Sequence, residues 1–192
     1  MLLVMAAVGG TGFAKKQWGI NECLFTRMTE MITYALSLNP ENKIVAFLWH
    51  QGEHDAFENS ELNYEQRYDF YYSSFKALAD KVRKQCGNIT VICGSFANEW
   101  GKDYKEQLIA VENATVKICN EIGNASFIEL SDLPSNNQKL SNGDTIHFCR
   151  QSLSIVGKRY FDAFLQINKC QIYQKTCIQN EFMPFCLIKR FV

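Results

Sequence analysis

The chain has 192 residues and a mass of 22.1 kDa, and its 47% hydrophobic, 21% charged composition is that of one globular domain with a sizeable core. Its 20 Lys and Arg balance 20 Asp and Glu, so the charge recommends neither a phosphate backbone nor an anionic membrane surface as a partner. No apolar run approaches the roughly 20 residues that span a bilayer, and neither nucleic acid nor membrane is expected to bind.

Residues 2–8 form a continuous apolar run ended by Gly9 and Gly10, the pattern of a parallel strand covered on both faces. The run lacks the basic flank of a signal peptide. From Asn21, Leu24, Met28, Met31, Ile32 and Ala35 recur at helical spacing until Asn39 and Pro40 stop the helix. Residues 44–49 read as the next strand. Ser60 then caps a helix whose inward stripe is Tyr64, Tyr68, Tyr71, Phe75, Leu78 and Val82, closed by Gly87.

A third strand is expected at 89–93. Asp103 and Glu106 have capping-box spacing ahead of a helix with Leu108, Val111, Ile118 and Ile122 inward. A short strand at 126–130 and a last helix carrying Leu153, Val156, Tyr160 and Phe164 complete the series. Strands and helices alternate, which predicts an α/β fold with a parallel sheet. The pattern fails after Phe164, so one domain is expected over 1–165 and an irregular tail over 166–192. The eight cysteines are scattered without a C-x-x-C pair and read as buried free thiols.

In open parallel sheets ligands bind beyond the carboxyl ends of the strands. Three segments there are unusual: "AVGGTGF", "LWHQGEHD" and "DTIHF". Within the second, His50 to His54 match H-x-x-E-H, the spacing of zinc peptidases in which two His bind the metal and the Glu is general base. A strand precedes it, and Gly52 lowers helix propensity by about 1 kcal/mol relative to Ala. A loop without a metal is therefore the expectation. In the third segment Asp144 lies three residues before His147, close enough to reach Nδ1, fix the tautomer and leave Nε2 to take a nucleophile's proton.

In this order the three segments resemble the SGNH-hydrolase superfamily, in its sialate O-acetylesterase and acetylxylan esterase branch, over about residues 1–164. The resemblance implies a three-layer α/β/α flavodoxin-like fold that removes acetyl groups from sugars through a serine, with an acetylated carbohydrate as partner and no cofactor or metal. It implies that His147 is the base, Asp144 its partner, and that Gln51 and Gly10 donate to the oxyanion. Glu53 is either the acid supporting the His or an acceptor that holds the loop. Trp49 and Asp55 are expected to shape the turn, Trp49 with the option of flanking a sugar, and Thr11 to hydrogen-bond locally. His54 departs from the small residue usual at its place and is expected in solvent.

The family's nucleophile lies in a Gly-Gln-Ser or Gly-Asp-Ser block ahead of the Gly-Gly strand, and no such block occurs here. Ser73, Ser74 and Ser95 do not match it. The chain thus reads as lacking the first strand of the fold and its serine, a fragment or degenerate copy with little esterase activity alone. The alternative is an inactive carbohydrate-binding remnant.

Overall fold

The computed structural model describes residues 3–58, 61–101, 105–137 and 143–179, the last ten by their backbone alone. In chain order the elements are α1 (Cys23–Ser37), β1 (Ala46–Trp49), α2 (Glu53–Phe57), α3 (Tyr64–Cys86), β2 (Thr90–Gly94), α4 (Asn98–Gly101), α5 (Lys105–Glu121), β3 (Ala125–Ile128) and α6 (Arg150–Gln179). The sheet is parallel in the order β1-β2-β3, with Leu48 beside Ile92 and Ile92 beside Ser126. This is the α/β architecture expected from the alternating runs.

The middle strand is buried at every position, as a parallel strand covered on both faces must be. Its side chains alternate between two cores. Val91 and Cys93 pack with Phe75, Leu78, Val111 and Ile118 under α3 and α5, while Ile92 packs with Leu130, Tyr160 and Ala163 under α6. Helix α1 lays Phe25, Met28 and Ile32 against the first core, and its last turn precedes Pro40 as predicted. Buried free thiols occur at Cys93, Cys119 and Cys149, whereas Cys23 is exposed.

The run at 3–8 is not a strand. Its burial alternates, Val4 and Ala6 leaning inward while Leu3 and Met5 are 69% and 72% exposed, but it has no ladder partner among the described residues. Apolarity reports that a segment suits a sheet, not that a neighbouring edge exists for it. The outer edge of β1 is likewise unpaired among the described residues, with Leu48 half exposed.

Three further expectations change. Helix α3 starts after Asn63, whose side chain accepts from Gln66 N–H in a reciprocal capping box, and its buried stripe is Arg67, Tyr71, Phe75, Leu78 and Val82 rather than one through Tyr64 and Tyr68. Leu153 faces solvent. The region after residue 165, expected to be irregular, continues α6 as helix to Gln179. Leu2, Ser60, Asp103, Tyr104, Asn142 and residues 180–192 lie outside the described residues.

Candidate active site

The H-Q-G-E-H segment is neither a helix nor wholly a loop. His50 leaves the end of β1, Gly52 caps α2, and Glu53 and His54 form its first turn. Gly52 has φ 148°, and a Cβ there would lie 2.6 Å from Val111 Cγ1 and 2.7 Å from Phe96 Cζ. Gly52→Ala is expected to cost about 2–5 kcal/mol, combining left-handed strain with overpacking. Urea denaturation checks this, and a loss under about 1 kcal/mol would mean the neighbours yield.

Below this turn lies Asp55, 3% exposed. Its carboxylate accepts from Phe13 N–H at 3.2 Å, Ala14 N–H at 2.7 Å and Gln51 Nε2 at 2.6 Å. Gln51 Nε2 also donates to Thr11 O at 3.1 Å. Thr11 Oγ1 donates to Val8 O and accepts from Trp18 Nε1, the local role expected of it. The Gly-Gly-Thr-Gly-Phe loop is thus bolted to α2 through one carboxylate and one amide. Behind it the buried Arg67 donates to Asp55 O and Glu58 O from Nη1 and to Leu62 O from Nη2.

These contacts correct two expectations. Gln51 has both amide protons committed, to Thr11 O and Asp55, and keeps none for an oxyanion. Trp49 is buried, donates to Tyr71 Oη at 3.1 Å and stacks on Phe75 at 5.1 Å, so it shapes the turn and offers no face to a sugar. Gly10 sits exposed in the turn with φ 70°, and its N–H has no partner among the described residues.

His50 and His54 do not converge. Tyr160 Oη donates to Trp49 O at 3.2 Å, so its oxygen accepts from His50 Nδ1 at 3.1 Å. This tautomer turns the Nε2 lone pair toward Glu53 Oε1, 3.9 Å away. Burial lowers the His50 pKa to about 4, keeping the ring neutral. His54 Nε2 instead lies 3.0 Å from Oε1 of Glu58, the residue that closes α2, not in solvent as expected. Among the described residues no cluster of three His, Cys, Asp or Glu suits a metal.

Burial pushes the Glu53 carboxyl up to about 7, against its own and Gly52's N–H groups and the His147 charge, which pull it down. A group raised in this way adds stability below its unfolded value of 4.5 and loses that contribution as pH rises through about 7. Glu53→Gln is therefore expected to raise the melting temperature at pH 8 and leave it nearly unchanged at pH 4.5. Equal shifts at both pH values in a thermal scan would contradict the assignment.

Asp144 and His147 form the expected pair. His147 Nδ1 lies 2.9 Å from Asp144 Oδ2, and Asp144 Oδ1 accepts the N–H groups of Ile146 and His147. Slight burial raises the Asp144 carboxyl, but the His147 N–H and ring and the Ile146 N–H outweigh it and hold it below the ordinary range. With Nδ1 taken by Asp144, Glu53 has no place on that nitrogen. The His147 side chain is 74% exposed, and its Nε2 has no hydrogen-bond partner among the described residues. The loop meets the H-Q-G-E turn where Phe148 approaches the His50 ring at 5.9 Å. All three segments therefore come together.

None of the serines considered reaches this ring. Ser95 is buried and accepts from Leu130 N–H, and Ser73 donates to carbonyls of its own helix beside Ser74. Sequence reading placed Tyr71 and Tyr160 on inward helical faces without foreseeing their hydroxyl contacts, and missed Arg67 altogether; the signal in each case was a polar atom or charge on an otherwise apolar face.

A family model described as "Carbohydrate esterase, sialic acid-specific acetylesterase" matches residues 1–166. The chain belongs to this family. Over 98 residues it is 24% identical to a probable 9-O-acetyl-N-acetylneuraminic acid deacetylase of Escherichia coli (strain K12), a match covering 50% of the chain and 30% of that protein. The crystal structure of NanS superposes with a TM-score of 0.59 at 18% identity, over 79% of the chain and 55% of NanS, a likeness of fold. The matches thus span 30% of the first protein's length and 55% of the second's.

Proposed function

We propose that this chain carries the base side of a serine-type carbohydrate O-acetylesterase, with an O-acetylated sialic acid or similar acetyl sugar as substrate. The observation that carries the reading is the Asp144–His147 pair, 2.9 Å apart with Nε2 open at the rim. Nε2 would take the proton of a serine hydroxyl as its oxygen attacks the acetyl carbonyl. The same proton then passes to the departing sugar oxygen, and water, deprotonated in turn, releases acetate and returns the proton to serine. Asp144 stabilises the imidazolium. The unpartnered Gly10 N–H is the remaining oxyanion donor of the two expected, a kind of contact worth about 3 kcal/mol.

The second reading, a sugar-binding remnant without turnover, is favoured by one observation: none of Ser73, Ser74 and Ser95 is placed at His147. Acetate release from 9-O-acetyl-N-acetylneuraminic acid and a panel of acetylated sugars separates the two. The chain alone is expected to be nearly inactive, and the chain joined to a homologous segment ending in Gly-Gln-Ser to be active. Binding of sugars without turnover by the joined protein would favour the second reading. Full activity of the unmodified chain, abolished by Ser95→Ala, would show that the serine has been misplaced.

A further inference from the structure

The Asp144–His147 pair is locally self-contained, since Asp144 holds both the ring and the turn that bears it. Ile146, packed on the first core, and Phe148, against the His50 ring, anchor one side of that turn. A second loop holds its other side. Asn136 N–H donates to His147 O at 2.6 Å, Cys149 N–H to Pro134 O at 3.3 Å and Ser152 Oγ to Pro134 O at 2.8 Å, while Ser135 and Phe148 form an antiparallel bridge. Residues 134–137 therefore cradle 147–149.

That cradle is held from outside by one carboxylate. On α4, just past the carboxyl end of β2, Glu99 Oε2 accepts from Ser135 Oγ and Oε1 accepts from Asn137 Nδ2 at 2.8 Å. Ser135 is 1% exposed, and its oxygen also accepts Asn137 N–H at 3.1 Å. We propose that Glu99 is a positioning residue for His147, fixing through Ser135 and Asn137 the distance between the His147 base and the Glu53 carboxyl. It acts through those two side chains. A carboxylate accepting two donors from one loop fixes that loop's place and orientation more firmly than a single contact, and a base misplaced by about 1 Å loses about 10²-fold in rate.

The inference rests on the esterase reading for its meaning, but its test needs no turnover. The readout is the titration midpoint of the Glu53 side-chain carbon by NMR in the full chain, its signal identified by loss in Glu53→Gln. The other titratable groups around Glu53 are His50, Asp55, Tyr71 and Tyr160, none of them altered in the comparison. Because the His147 charge pulls the Glu53 midpoint down, His147→Gln is expected to raise it by about 0.3–1 unit in the native background. In Glu99→Ala the same change is expected to raise it by less than about a third of that, and in Glu99→Asp by at least about half. A merely stabilising role would lower the melting temperature of Glu99→Ala and leave the His147 effect intact. Equal His147 effects in both backgrounds would overturn the proposal. Should Glu99→Ala not fold, Glu99→Gln, which keeps the shape and one acceptor, carries the same comparison. Absence of acetate release from every form of the chain would count against the esterase reading and leave this result standing.

Discussion

Asp55→Ala is expected to destabilise the protein by about 3–5 kcal/mol, because two backbone N–H groups and the Gln51 amide lose their acceptor together and each buried orphan costs about 1–3 kcal/mol. The net figure stays below the sum of the three, because burial already disfavours the charged Asp55 carboxyl and raises its pKa. Asp55→Asn, which keeps one accepting oxygen, is expected to lose less. The change also releases the Gly9–Gly10 turn from α2, so any acetate release by the chain joined to a Gly-Gln-Ser segment should disappear before the fold does. Urea denaturation with circular dichroism reads the first effect, and an assay below the unfolding midpoint reads the second. A loss under about 1 kcal/mol would mean water replaces the carboxylate, and that this loop is wetter than its burial indicates.

The other large effect is chemical. In the chain joined to a Gly-Gln-Ser segment, His147→Ala is expected to lower turnover by about 10⁴-fold with little change in KM, the scale for removing a triad member. Asp144→Asn should also lower it steeply, since the amide no longer stabilises an imidazolium and favours the wrong tautomer. Glu53→Gln should lower it far less, because Glu53 has no contact with Nδ1. A loss below tenfold for His147→Ala would remove that residue from the base role. A Glu53→Gln loss as deep as that of Asp144→Asn would exchange the roles of the two acids.

How much of this could be read in advance follows from the range of each interaction. The strands at 46–49, 90–94 and 125–128 declare themselves as short apolar runs, and Asp144 with His147 as a pair three residues apart, because in both cases the determining contacts are local. Helix α3 shows the opposite. Its inward stripe begins at Arg67, which a search for apolar residues passes over, and the guanidinium is inside only because the carbonyls of Asp55, Glu58 and Leu62 surround it. Gln51 looked like an oxyanion donor because its acceptors, Thr11 O and the Asp55 carboxylate, become neighbours only when the chain closes. The run at 3–8 has the composition of a strand and half its burial pattern, and what it lacks is a partner among the described residues, which its own residues do not encode. Glu99 gave no signal, since both groups it accepts from lie some 36–38 residues further on.

At the pole opposite the candidate site, Arg83 gathers four backbone carbonyls, those of Ile89, Ile122, Gly123 and Asn124. One side chain thereby links the end of α3, the entry to β2, the end of α5 and the entry to β3. Amides of these elements should exchange with solvent only on global opening, as a single cooperative unit, whereas those of 9–14 and 143–149, tied down by a few side chains at the rim, should exchange through smaller local openings. The loops bearing His147 and Gly10 can then breathe on their own timescale over a base that does not.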